Sequence, residues 1–304
     1  MPKTAILLPL FGRPDFTIRI LDFYNRIYCK YPFYIPDGSK IKEFDQKILN
    51  KKFPNLKIIY KKYPYDKNFP TYARKMSSMS KKIKEKYIML IANDDFFNLE
   101  FCKRAEKILD KNKELSIVSG IVKNIRVLIP FKSINDHGFV FTEKKIQYYS
   151  YGEIFKDVTS NDKSKRVTKL LMTLPYESLM RANVFKKIWT LANEFKIKNS
   201  FEMNWFMNII PLACGKKKHL KIISQIRQCN TYAGLGVDDM LYGKGGTRKR
   251  YFSFLKMLEN KKIFNSNMTK AIKYADDNSL DIFGGNDKRS KRHFLKQKII
   301  PHYF

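Results

Sequence analysis

Apolar residues in the first third of this chain fall in short unbroken runs that alternate with stretches of helical spacing. Thr4–Leu10 (TAILLPL) and Tyr87–Ala92 (YIMLIA) are continuous or nearly continuous apolar runs, the pattern of strands buried on both faces of a parallel sheet. Phe33–Ile35 and Leu56–Tyr60 read as two shorter strands. Between them, Asp15–Tyr28 places Phe16, Ile20, Phe23 and Ile27 on one helical face, and Pro14 suits its first turn. Thr71–Glu85 reads as a helix leading into the run at Tyr87. Strands alternating with helices predict βαβ units. Three strand ends, at Phe11, Asp37 and Asp94, are then expected on one edge of one sheet.

The second half is less regular. Leu99–Leu109 is helical and Leu115–Val122 is a strand candidate, whereas Ile134–Lys169 is polar and aromatic with no clear period. That middle stretch reads equally as a substrate-covering insertion or as loops. Leu170–Leu174 and Glu177–Met180, on either side of Pro175, are expected to build a mixed edge strand. Val184–Phe195 and Phe201–Ala213 are helical, with Gly215 as a stop. Leu220–Ile223 is a short strand, and a helix is expected over Lys249–Leu258.

Composition narrows the function. The 304 residues are 44% hydrophobic, with 24 Phe and 18 Tyr, enough for a sizeable core. Lys and Arg number 60 against 28 Asp and Glu, a formal charge of +32, which favours anionic partners. Much of the excess lies in scattered Lys pairs, so only local clusters carry weight. No helix-turn-helix, zinc-finger or RNP pattern supports a nucleic-acid-binding protein, the reading that charge alone would invite. Cys29, Cys102, Cys214 and Cys229 form no CxxC pair and point to neither zinc nor a disulfide scaffold. With no signal-peptide pattern before Thr4 and no long apolar span, a cytoplasmic setting is expected.

The chemistry concentrates after Ala92. Asn93, Asp94 and Asp95 stand at the expected carboxyl end of the central strand, where open α/β sheets bind ligands. Adjacent carboxylates repel each other and lose solvation, so a cation should compensate them. Mg²⁺ or Mn²⁺ bridging Asp94 and Asp95 to substrate phosphates is one reading; a solvated Asp-Asp turn is the bland one.

LPLFGRP (Leu8–Pro14), IPDGS (Ile35–Ser39) and NDDF (Asn93–Phe96), in that order, resemble a family 2 glycosyltransferase of the GT-A fold. More narrowly they are similar to a bacterial subfamily with an N-terminal tyNRp-like segment and a double Asp before Phe. The resemblance covers about residues 4–230. It implies an α/β GT-A fold with a mostly parallel, Rossmann-like sheet. Its domain would span 1–230, a nucleotide-sugar half over 1–125 and an acceptor half over 126–230, followed by a basic helical extension over 231–304. It also implies a nucleotide-sugar donor, expected to be a UDP-sugar, and a glycan or lipid-linked acceptor in bacterial surface polysaccharide synthesis. Pro9, Phe11, Arg13, Asp37, Arg74 and Asp94 would face the donor nucleotide, and Asp94 with Asp95 the metal. The sequence departs from the family at Gly12 (usually Asn), Lys75 (usually Asn) and Ala92 (usually the first Asp).

An acceptor hydroxyl needs a carboxylate to take its proton. Glu202, in the first turn of a helix capped by Asn199 or Ser200, resembles the family's base with Trp205 and Gly215-Lys216 following; Glu177, beside Tyr176 and Arg181, is the alternative. The bland reading of Glu202 is an acid complementing the helix dipole. Asp238 and Asp239 are a further fallback. His137, His219, His293 and His302 show no ligand spacing. Arg227 has two readings, a contact to phosphate or, more commonly for a strand-end Arg, a solvated charge. Tyr148, Tyr149 and Tyr151 read as core residues before they read as a sugar platform. A nucleotidyltransferase would share the acidic strand end but should carry a longer Gly-rich loop than FGRP. Finally, Asn286–Phe304 combines basic with aromatic and aliphatic residues, a composition suited to peripheral contact with an anionic membrane.

Overall fold

A computed structural model describes residues 2–127, 146–151, 156–167, 178–229, 247–263, 265–267 and 269–270. Its first half follows from the apolar runs. β1 (Thr4–Leu7), β2 (Phe33–Asp37), β3 (Ile58–Lys62) and β4 (Tyr87–Leu90) are all parallel, in the order β3-β2-β1-β4. β1 lies between β2 and β4, in register from Thr4 opposite Tyr87 to Leu7 opposite Leu90. Every residue of β1, β2 and β4 is buried, which explains why their sequences do not alternate.

The connecting helices are α1 (Pro14–Arg26), α2 (Gln46–Lys52) and α3 (Phe69–Lys82). α3 starts earlier than expected because Asn68 and Thr71 form a reciprocal capping box around Pro70. α2, which the apolar spacing did not reveal, is held by its Asp45 cap on the Lys47 N–H.

Beyond β4 the sheet becomes mixed. β5 (Phe96–Phe97) leads into α4 (Leu99–Lys111), then β6 (Leu115–Val127), β7 (Ile146–Tyr151), α5 (Lys163–Val167) and β8 (Ser178–Arg181). α6 (Ala182–Phe195), α7 (Ser200–Cys214), β9 (Lys216–Cys229) and α8 (Thr247–Asn260) complete the described elements. The order continues β4-β8-β6-β9-β5, with β7 beside the outer half of β6.

Two expectations need correction. The edge strand expected around Glu177–Met180 is interior: β8 pairs antiparallel with β4 on one side and β6 on the other. Four residues suffice there because Leu179 and Met180 insert into the cores on opposite faces of the sheet. The short strand expected at Leu220–Ile223 is the middle of the 14-residue β9, parallel to β6. The run Lys216–Lys218 disguised its start; Lys217 is fully buried, and burial pushes its ammonium down to about 8.

Each sheet face carries its own core. α3, α6, α7 and α8 cover one face around Trp189, Trp205, Phe206 and Phe254. α1 and α4 cover the other around Tyr24, Phe33, Phe97 and Phe101. Tyr251, Phe254, Leu255 and Leu258 of α8 are buried in the first of these cores, together with residues of the sheet itself. The parallel strands β1, β2, β4, β6 and β9 point their carboxyl ends to one edge, and that edge holds the site.

Candidate active site

The site grows from the turn that ends β4. Asn93, Asp94 and Asp95 are 4%, 6% and 5% exposed, so the acidic pair is buried and not a solvated turn. Its charge is met by arginines. Arg13 Nη1 donates to Asp94 Oδ2 at 2.9 Å and Arg13 Nη2 to Asn93 Oδ1 at 2.6 Å. Arg227 Nε lies 3.5 Å from Asp95 Oδ2, and the Gln228 N–H donates to Asp95 Oδ1 at 3.3 Å. Arg19 Nη2 reaches the Asp94 carbonyl at 3.3 Å while its guanidinium lies over the Phe16 and Phe96 rings; burial lowers its pKa.

Arg13 reaches this position through an unusual backbone. Gly12 and Arg13 are both left-handed, at φ 73° and 64°, immediately before α1. Glycine adopts this region at no steric cost, whereas for arginine it is strained. Asn93 Nδ2 holds the kink by donating to the carbonyls of Gly12 at 3.4 Å and Arg13 at 3.3 Å. Gly12 therefore suits its position for conformational reasons.

A second cluster closes the ends of β2 and β3. The Gly38 N–H donates to the Leu10 carbonyl and the Asp66 N–H to the Gly38 carbonyl, which ties the three strand-end loops together. Asp37 is fully buried. Its Oδ1 accepts from the Ser39 N–H at 2.7 Å and its Oδ2 from the Tyr60 hydroxyl at 2.5 Å. Burial pushes the Asp37 carboxyl up, but these bonds and nearby Lys62 outweigh it and leave the pKa lowered. In this arrangement Asp37 shapes the Ser39 loop. Below it, Lys75 forms a buried ion pair with Asp66 and donates to the Leu10 carbonyl at 2.9 Å. The expected donor contact Arg74 faces outward and is exposed, so on α3 it is the neighbouring lysine that turns into the site.

The remaining expected residues scatter around this edge. Pro9 and Phe11 are half-buried, and Phe11 stacks on Tyr65 at 5.8 Å. Glu202 lies in the first turn of α7 under its Asn199 cap, and that helix end faces the same edge because α7 runs back to the start of β9. Its carboxylate is 2% exposed and engaged: Arg250 of α8 donates to Oε1 at 2.7 Å and Oε2 at 2.6 Å, and the Lys198 N–H donates to Oε2 at 2.9 Å. Glu177, Asp238 and Asp239 lie outside the described residues, as do the segment 271–304 and the side chains of Tyr148, Tyr149 and Tyr151.

Among the described residues no group of three His, Cys, Asp or Glu gathers as a metal cage. Asp94, Asp95 and the Asn93 amide offer oxygen donors only, which suits a hard ion that takes one or two carboxylates and completes its shell with phosphate oxygens and water.

No family model matches the chain, and no curated protein does. Solved structures do. The crystal structure of S. aureus TarS residues 1–349 aligns over 97% of this chain and 78% of its own length, at TM-score 0.56 and 8% identity. The same fragment in complex with UDP-GlcNAc aligns over 98% and 77%, at TM-score 0.56 and 12% identity. Its UDP complex aligns at 11% identity, also at TM-score 0.56. The chain has the fold of TarS. TarS is a glycosyltransferase, and the α/β GT-A architecture expected from the sequence is present. At this identity the likeness is one of fold, and residue roles rest on the geometry above.

Proposed function

We propose that the protein is a glycosyltransferase that moves a sugar from a nucleotide-sugar donor, a UDP-sugar, to the hydroxyl of a cell-surface glycan or a lipid-linked acceptor. One observation carries the reading. Asn93-Asp94-Asp95, Arg13, Arg227 and the Asp37–Lys75 cluster converge on the carboxyl edge of a GT-A sheet, the edge at which open α/β sheets take nucleotide ligands. The fold likeness to a protein crystallised with UDP-GlcNAc supports the same donor class.

In this reading the Gly38–Ser39 loop, shaped by Asp37, receives the base and ribose. Arg13, Arg19 and Arg227 supply positive charge beside the diphosphate as it leaves. Asp94 and Asp95 would hold Mg²⁺ or Mn²⁺, whose contribution when bound is to neutralise charge on the leaving diphosphate without proton transfer. Arg13 and Arg227, now paired with those carboxylates, would then turn to the donor oxygens. Direct attack by the acceptor hydroxyl inverts the anomeric centre. The proton goes to a carboxylate on the acceptor side, where Glu202 is the described candidate and Glu177 the other. For Glu202 that role requires the acceptor to open the Arg250 pair, since a buried carboxylate held by two guanidinium bonds has no reach to a hydroxyl.

A thermal-shift screen of nucleotide sugars with and without Mn²⁺ tests the donor half. A ligand that binds the native state alone raises the melting temperature, and UDP-sugars should do so in the wild type but not in Asp94→Asn. Equal shifts with ADP-, GDP- and UDP-sugars, or none with any, would overturn the reading.

A further inference from the structure

The edge opposite the candidate active site carries a hollow of about 460 Å³ between the start of β6, the first turn of α6, the end of α7 and the turn after α8. Five cationic side chains, Lys113, Lys163, Arg181, Lys187 and Lys262, line it, and among the described residues no carboxylate does. Some lysines on other faces do have an acid beside them, as in Lys3–Asp110, Lys42–Asp45, Lys218–Asp157 and Lys261–Glu194. Within the hollow, none of the four lysines has an ion pair among the described residues, and Lys163 donates to the Ile263 carbonyl at 3.3 Å. Like charges held around one concavity repel each other, and a multivalent anion between them relieves that cost.

We propose that this hollow binds a phosphate-bearing ligand, a phosphate ester or a diphosphate. Lysine ammonium groups act as compact point charges and are common phosphate binders, and several around one hollow match the multiple charge of a phosphate or diphosphate. The one arginine present is committed elsewhere: Arg181 donates to the carbonyls of Leu115, Leu109 and Asn112, and so lends its charge without its hydrogen bonds. α6 adds the positive end of its dipole through Asn183 and Val184. The volume falls in the range of small-molecule sites and exceeds that of a single phosphate group, leaving room for what the phosphate is attached to. Free phosphate esters and lipid headgroups share this chemistry.

Cys214 lines the hollow, whereas Cys29 and Cys102 are buried, so its alkylation reports occupancy. The full-length protein is treated with iodoacetamide, and modification of Cys214 is followed by peptide mass spectrometry. Pyrophosphate and glycerol phosphate form one arm, vesicles with and without phosphatidylglycerol another, and sodium chloride at matched ionic strength is the control. The expected result is saturable slowing of alkylation, fivefold or more, by soluble phosphates, by phosphatidylglycerol vesicles or by both, but not by chloride. The arm that protects names the source. The ratio of rates with and without ligand should return to one in Lys113→Glu/Lys187→Glu, a change at two exposed lysines whose folding a melting curve checks. Protection that chloride reproduces, that does not saturate, that persists in the double variant, or that no arm gives would overturn the proposal.

Discussion

Lys75→Met is the most informative single perturbation of this fold. Lys75 and Asp66 are 1% and 0% exposed, and burial pushes the Asp66 carboxyl up and the Lys75 ammonium down while their mutual attraction opposes both. Neither Asp66 oxygen has a hydrogen-bond partner of regular geometry, so the lysine is what compensates its charge. Removing one partner of such a pair costs about 3–5 kcal/mol. The Leu10 carbonyl loses its lysine but keeps the Gly38 N–H, so little is added there. The stranded Asp66 can escape its charge by taking up a proton. Folding then binds one proton more than the unfolded chain, and stability falls as pH rises, by about 1.36 kcal/mol per unit. Over the roughly three units from the ordinary Asp value to neutrality this comes to about 4 kcal/mol, in agreement with the first figure. Urea unfolding of wild type and variant at pH 5 and pH 7.5 measures it. The deficit of Lys75→Met should be small at pH 5 and larger by about 3 kcal/mol at pH 7.5. Adding Asp66→Asn should remove the pH dependence and recover part of the loss. A deficit equal at both pH values, or below about 1 kcal/mol at both, refutes the account.

Gly38→Ala should destabilise by about 1–3 kcal/mol, because the new methyl would overlap the Asp66 carboxylate that Lys75 pins beneath it; a melting temperature unchanged from wild type would show that the loop yields freely. Asp94→Asn or excess EDTA should abolish donor turnover with little change in the melting curve, and full activity in EDTA removes the metal from the scheme. Glu202→Gln should lower acceptor-dependent transfer by ~10²-fold or more with donor affinity unchanged; loss of stability with transfer retained makes Glu202 the anchor of Arg250 and moves the search to Glu177. The basic tail, Asn286–Phe304, should float with anionic but not neutral vesicles, at about 1 kcal/mol per basic residue near the surface, and equal flotation with both rejects an electrostatic contact.

The parallel half of the sheet was legible because strands buried on both faces are apolar throughout, and TAILLPL and YIMLIA are short apolar runs of strand length bounded by Gly, Pro, Asn and Asp. The antiparallel half was not. β8 is only four residues long and earns its interior place from neighbours that lie far away in sequence, while β9 opens on three lysines of which one is buried. Register against distant strands leaves no local mark.

The acidic turn illustrates the same limit at the level of chemistry. Two adjacent carboxylates at a strand end require positive charge, and that inference needs nothing but Coulomb's law. Which charge answers them depends on what folding brings near. Arg13 is only one loop away in space because Gly12 takes a left-handed turn that arginine follows under the hold of Asn93. Arg227 comes from near the end of β9, a strand longer than its apolar core suggests, and it faces Asp95 where its sequence context favours a solvated charge over a phosphate contact. Lys75 read as a departure from a family pattern, yet it is the counter-charge to Asp66, a residue with no motif of its own. For Asp94 and Asp95 the acids were visible in the sequence and the bases were fixed by topology; for Lys75 and Asp66 the pairing itself came only from the fold. Two like charges at a strand end therefore predict that partners exist, and the sheet order locates them: Arg13 follows β1, parallel beside β4, and Arg227 lies on β9, which pairs with β5 just after the acidic turn.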